Sequence, residues 1–294
     1  MAHPQIAIFA RLAKDSATPT RLLYGQKTRL SRTMHDIRYD AVHDELLTTN
    51  PFAAAVLVYR GGADGEESPI RVIQGPHTQM DGPARVEVDP VHNEIIVPNS
   101  NSILVFPREA NGDVAPIRVL RGEDTQLRRA DSVAVDAVHD ILVAGITKPQ
   151  NLRGMGAGAS QGWSSSWTET GGGTDTGGLL IFNRTDNGNA KPRAVIQGPK
   201  TGLFIPEQLQ IYAPRGWIVA AQSTDTRTPE PPDTFIGVWS IRDNGDVPPR
   251  WRIGGPKSTI KKPRGVALNP RNKELIVADM RLNAVLTYYF PEIF

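Results

Sequence analysis

Residues 83–127 read PARVEVDPVHNEIIVPNSNSILVFPREANGDVAPIRVLRGEDTQL, and this stretch decides the fold. It holds four short apolar runs, at Arg85–Asp89, Glu94–Pro98, Ser102–Phe106 and Ile117–Arg121. Each is rich in β-branched residues and bounded by Pro, Asn, Asp or Gly, which are strand and turn signals rather than helix signals. The stretch is therefore one unit of four strands, closed by Gly122.

The same order recurs on both sides of it. First-strand copies lie at Ile37–Asp40, Val133–Asp136, Leu209–Tyr212 and Val266–Asn269, and second-strand copies end near Thr49, Gly145, Ala221 and Ala278. Fourth-strand copies end in Gly25, Gly75, Gly198 and Gly255. A repeat of about 40–50 residues marks a propeller or a solenoid. Five first, five second and five fourth strands predict an all-β β-propeller with five four-stranded blades. The N- and C-terminal strands are expected to share the closing blade. Third strands number six, which keeps six blades as the alternative. The expectation is a single domain over residues 1–294, interrupted by insertions at 146–178 and 222–234.

Composition narrows the function classes. The 294 residues carry a formal charge of +2, with 39% hydrophobic and 22% charged residues, as expected of a chain that buries a sizeable core. Lys and Arg are scattered, so no basic stripe predicts a nucleic-acid partner. No apolar run approaches the roughly 20 residues that span a bilayer. With no secretory signal pattern at the start, the expected location is the cytoplasm. The absence of cysteine excludes disulfides, thiolate metal sites and a cysteine nucleophile.

Both insertions fall between second and third strands, so both decorate the same face of the repeat, at one mouth of the predicted channel. Loops this long are commonly functional. The longer one contains Trp163 and Trp167, which fit either a cap over a ligand or docking on the protein's own surface. His43, His92 and His139 occupy one turn position in three repeats, on the opposite face, and read as turn chemistry. His35 stands apart, immediately before its first strand.

Aligning the repeats puts His35 in register with Ala84, Asp131, Glu207 and Arg264, and the next position carries Asp36, Arg85, Ser132, Gln208 and Gly265. The ends of the second strands align Asn50, Asn99, Ile146, Gln222 and Asp279. Carboxylate and amide oxygens converging on one axis suit a hard cation such as Ca²⁺, with a hydrated polar channel as the metal-free reading. Clustered carboxylates call for compensation, by a cation or by Arg85 and Arg264, which would otherwise bind an anionic substrate.

The units Pro263–Pro270 and Glu274–Asp279, PRGVALNP and ELIVAD, resemble NHL repeats and the related SMP-30/gluconolactonase-like propellers. That resemblance covers nearly the whole chain and implies a propeller whose function ranges over hydrolases, lyases, synthases and interaction scaffolds. SMP-30-like enzymes use a Glu, Asn and Asp set, to which Asn50, Asn99, Glu207 and Asp279 are similar as metal ligands. On this basis His35, Glu207 and Asp279 are the expected catalytic residues. Arg85, Asp131, Gln222, Arg264, Trp163 and Trp167 are the expected substrate contacts. The expected function is a hydrolase or lyase acting on a polar or lactone-like small molecule, assisted by a divalent cation and without an organic cofactor. The alternative is a non-catalytic propeller that binds a ligand or a protein partner. Ser132 with His35 as a serine hydrolase lacks the G-x-S-x-G elbow.

Overall fold

The computed structural model describes residues 4–32, 34, 36–147, 176–223 and 234–294, and in it each apolar run quoted above forms a β-strand. The first complete blade comprises β3 (Ile37–Asp40), β4 (Glu45–Asn50), β5 (Ala55–Arg60) and β6 (Arg71–Gln74), after an N-terminal hairpin of β1 (Gln5–Ile8) and β2 (Arg21–Tyr24). Next come β7 (Glu87–Asp89), β8 (Glu94–Pro98), β9 (Ser102–Pro107) and β10 (Arg118–Arg121), then β11 (Ala130–Asp136), β12 (Ile141–Ile146), β13 (Gly178–Asn183) and β14 (Ala194–Gln197). They are followed by β15 (Ile205–Tyr212), β16 (Trp217–Ser223), β17 (Phe235–Ser240) and β18 (Trp251–Gly254), and finally β19 (Pro263–Asn269), β20 (Glu274–Asp279) and β21 (Ala284–Tyr289). The fold is an all-β propeller of five blades, four of them four-stranded antiparallel sheets with strands in sequence order. The strands expected to share the closing blade lie in two sheets, β1–β2 and β19–β21. Both β1 and β21 are third-strand copies, which places the sixth one.

The chain divides into two compact units, Met1–Val97 with Leu104–Ile117 and Pro98–Ile103 with Arg118–Phe294. In the first, Leu23, Leu30, Ala55, Leu57 and Tyr59 form a buried cluster. In the second, the run Ile218–Ala221 shows why strands here are apolar throughout rather than alternating. Successive side chains leave opposite faces of a strand. Ile218 and Ala220 enter one core with Val143, Ile181 and Ile196, whereas Val219 and Ala221 enter another with Val266, Leu275 and Val277.

Two turns, each used several times, join one blade to the next. The first is the turn between third and fourth strands, centred on Gly65 and Gly112 in the first unit and on Gly188 and Gly245 in the second. Each glycine makes an isolated parallel bridge to an outer strand, at Leu23, Ile73, Leu120 and Ile196 respectively. At Gly188, the N–H donates to Val119 O at 2.8 Å and the carbonyl accepts from Arg121 N at 2.9 Å. The preceding Asn187 Oδ1 accepts from Val119 N at 2.9 Å, and the following Asn189 Oδ1 accepts from Asp124 N at 2.8 Å. Asp64, Asn111 and Asn244 repeat the Asn187 bond, and Glu66, Asp113 and Asp246 that of Asn189. A Cβ on Gly122 would stand 2.2 Å from Asn189 Oδ1, so the fourth strand must end in glycine for this grip to close.

The second turn follows that glycine as a 3-10 turn containing a buried threonine. Thr201 Oγ1 donates to Gly198 O at 2.7 Å and accepts from Leu203 N at 3.1 Å, and Thr28, Thr78 and Thr125 do the same in their copies. Ser258 is the fifth copy. The histidine turns are structural as well: His43, His92 and His139 Nδ1 lie 2.7–2.8 Å from Asp40, Asp89 and Asp136, whose other oxygens accept two backbone N–H groups. Thr201→Val keeps the volume but removes the acceptor of the Leu203 N–H, while the Gly198 carbonyl keeps only its bond from Thr201 N. It is expected to cost about 1–3 kcal/mol, read as a lower urea midpoint at unchanged m-value. An unchanged midpoint would show that this hydroxyl does not hold the turn.

Candidate functional site

Three first strands of the second unit carry one residue more than their partners. The register shifts fall between Ala130 and Ser132, Pro206 and Gln208, and Pro263 and Gly265. The extra residues are Asp131, Glu207 and Arg264, the position that the repeat alignment singles out. Such a bulge bends the strand and re-aims one side chain. Asp131 Oδ2 accepts from Thr147 Oγ1 at 2.9 Å. Glu207 is buried; its Oε1 accepts from Ser223 Oγ at 2.6 Å and its Oε2 pairs with Arg264 Nη1 at 2.5 Å, joining β15 to β19.

The next register position continues the stitching. Ser132 Oγ donates to Pro206 O at 2.6 Å, linking β11 to β15, and Gln208 Oε1 accepts from Val266 N at 2.5 Å, linking β15 to β19. In the first unit Asp36 Oδ2 accepts from Val86 N at 3.3 Å, linking the residues that lead into β3 and β7. Buried Arg38 strengthens that link, with Nε 3.1 Å from Glu87 Oε1 and Nη1 3.3 Å from Asp36 Oδ1. Arg85, at the same register, is buried.

At the second-strand ends the side chains turn back onto their own loops. Asn50 Oδ1 caps a 3-10 turn through Ala53 N at 3.2 Å, and its Nδ2 donates to Arg29 O at 3.0 Å. Asn99 Nδ2 donates to Ser102 Oγ at 3.4 Å. Gln222 Oε1 accepts from Phe204 N at 2.9 Å while its Nε2 donates to Ser223 O at 2.5 Å. Asp279 accepts four backbone N–H groups, from Arg281 and Leu282 on Oδ1 and from Lys261 and Lys262 on Oδ2. Among the predicted residues, the structure thus joins Glu207 to Arg264. His35, Trp163 and Trp167 lie outside the described residues.

These engagements decide how well the residues fit a cation. The oxygens of Asn50, Glu207 and Asp279 already receive protein donors, and no three His, Asp or Glu side chains among the described residues are grouped to hold a metal ion. Ca²⁺ is bound by six to eight oxygens, so a cation at these residues would have to compete with the donors they already receive.

Repeat alignment reached Asp36 but not its partners Arg38 and Glu87, with which it forms a cluster. Arg38 and Glu87 lie in two first strands and Asp36 just before one of them, where a polar residue reads as solvent-facing, and only the bonds between these neighbouring sheets show the cluster as buried. Burial pushes the Glu87 carboxyl up to about 7, against the pull of Arg38 and of its bond from Val88 N. No protein-family model matches the chain, and no curated protein matches it. No helix among the described residues is long and apolar enough to cross a membrane.

With Glu87 raised from an ordinary 4.5 to about 7, the folded protein holds a proton that the unfolded chain has released between those values. The contribution is full below about 4.5 and is lost as pH rises to about 7. The stability of wild type relative to Glu87→Gln is therefore expected to fall across that window and level off above it. Urea unfolding of both proteins from pH 4.5 to 8 measures this, and a flat or rising difference contradicts the assignment.

Proposed function

We propose that the chain is a non-catalytic binding propeller, a scaffold of the NHL-like type that engages a protein partner. One observation carries this reading: the polar side chains placed at the bulges and second-strand ends are spent on holding strands and loops. A general acid or base must have a proton site that a substrate can reach, and Glu207 and Asp279 present their oxygens to Ser223, Arg264 and backbone N–H groups instead. The divergence among repeat copies, which alignment reads as a site of unequal parts, is explained by unequal stitches: Ser132 donates to a carbonyl where Gln208 and Asp36 accept from an N–H.

Glu87 favours a second reading, a hydrolase or lyase, because a carboxyl titrating near neutrality is suited to proton transfer. Its test is a pH–rate profile that Glu87→Gln abolishes.

Assays against lactones and esters, with calcium and with chelator, test the main reading. The expected outcome is that Glu207→Gln and Asp279→Asn leave any turnover unchanged and lower the unfolding midpoint, by about 1–3 kcal/mol each. Calcium-dependent turnover lost in either variant at unchanged stability would contradict it.

A further inference from the structure

The turns that grip the outer strands carry a reactive sequence. Asn111-Gly112, Asn187-Gly188 and Asn244-Gly245 each place an asparagine side chain beside a glycine amide, with no Cβ on the glycine to hinder attack. All of these residues are exposed, so water reaches them. In the equivalent turn Asp64-Gly65 the first residue is already an aspartate.

That copy shows what exchanging the amide for a carboxylate does. Asp64 Oδ1 accepts from Leu22 N at 2.9 Å, Gly65 N donates to Leu22 O at 3.0 Å and Tyr24 N donates to Gly65 O at 2.9 Å. At Asn111 the matching bonds run from Val72 N to Oδ1 at 3.0 Å, from Gly112 N to Val72 O at 2.7 Å and from Gln74 N to Gly112 O at 3.0 Å. The grip is therefore the same with either side chain. A second acid nearby is tolerated as well: Glu66 follows Asp64 as Asp113 follows Asn111 and Asp246 follows Asn244.

The reaction of an Asn-Gly pair is balanced by water alone. The glycine nitrogen loses its proton and bonds to the asparagine Cγ, ammonia leaves, and one water opens the resulting five-membered imide at either carbonyl; nothing is oxidised or reduced. One opening gives aspartate. The other gives isoaspartate, whose main chain runs through Cβ and is one atom longer. In the closed turn both reacting groups are tied, since Gly188 N–H donates to Val119 O at 2.8 Å and Asn187 Oδ1 accepts from Val119 N at 2.9 Å. The imide therefore forms from a locally opened turn. When the turn recloses, aspartate makes the bonds seen at Asp64, whereas the extra atom of isoaspartate moves Gly188 out of register with Val119 O and Arg121 N.

We propose that Asn111, Asn187 and Asn244 are sites of spontaneous deamidation, and that the fold sorts the two products: aspartate keeps the grip on the neighbouring blade and isoaspartate releases it. These sites act in the same way whether the propeller is a scaffold or an enzyme.

The full chain, folded or unfolded in urea, is held in mildly alkaline buffer, digested and mapped by mass spectrometry, with aspartate and isoaspartate separated by chromatography. In urea, conversion is expected at these asparagines ahead of the exposed Asn183 and Asn189, which precede Arg184 and Ala190. In the folded protein it is expected at the same sites, at least about tenfold more slowly. Hydrogen exchange on the aged protein is expected to show protection at Val119 and Arg121 kept in chains with aspartate at position 187 and lost in chains with isoaspartate there. Asn187→Asp is expected to keep the wild-type melting temperature, and Asn187→Ala, which has no acceptor for Val119 N, to lower it by about 2 °C. The proposal is overturned if the folded protein acquires neither product, if folding does not slow conversion, or if Asn183 and Asn189 convert as fast in urea. It is equally overturned if isoaspartate chains stay as protected as aspartate chains, or if Asn187→Asp loses as much as Asn187→Ala.

Discussion

The grip of an Asn-Gly or Asp-Gly turn on the outer strand of the neighbouring blade is the constraint on which the rest depends. An outer strand of four residues has one edge in its own sheet and the other exposed, a marginal arrangement by itself. The turn satisfies that second edge with two backbone bonds and one side-chain bond, and the next residue reaches the following 3-10 turn. Three sequence features follow from this one contact: a left-handed glycine at the turn, a small polar residue on each side of it, and a glycine at the end of the gripped strand. The last exists because the gripping side chain occupies the space of a Cβ, as at Gly122 and Gly198.

Inner and outer strands are thus held by different chemistry. At the outer edge the bonds are nearly identical from copy to copy, because backbone meets backbone. At the inner edge they are made by side chains and differ in each pair, from the Glu207–Arg264 ion pair to the Ser132 hydroxyl bond and the Asp36–Arg38–Glu87 cluster. This accounts for a repeat that is regular in its turns and irregular in its first strands. It also links structure to function: polar residues along the inner strands are not by themselves evidence of catalysis.

The architecture was legible because each strand is an uninterrupted β-branched run between turn residues, and because buried faces on both sides leave no ambiguity of period. The count of six third strands was also correct, and its meaning came only with the sheets, where β1 and β21 prove to be separate copies. Aligning the repeats put Asp131, Glu207 and Arg264 at one position, and each sits at a register shift in the structure. The bulges that aim them depend on register with a second strand, and their partners lie on other strands, so neither could be read along the chain. The bonds of Asp279 were hidden for a related reason, since a carboxylate that accepts four backbone N–H groups looks in sequence like any acidic strand end. The Gly-x-x-Thr spacing stands in four of the five turns, with serine in the fifth, but the bond from the hydroxyl back to the glycine carbonyl shows only in three dimensions.

Native-state hydrogen exchange tests the grip most directly, since the second unit contains outer strands that a turn of the same unit grips and one, β18, that none of its own described turns grips. Val119, Arg121, Val195 and Gln197 donate to the turns at Asn187–Gly188 and Asn244–Gly245, whereas the equivalent amides of β18, Arg252 and Gly254, make no such bond among the described residues. The account predicts that the first four exchange at least roughly a hundredfold more slowly than the last two. Equal protection at all six amides would contradict it.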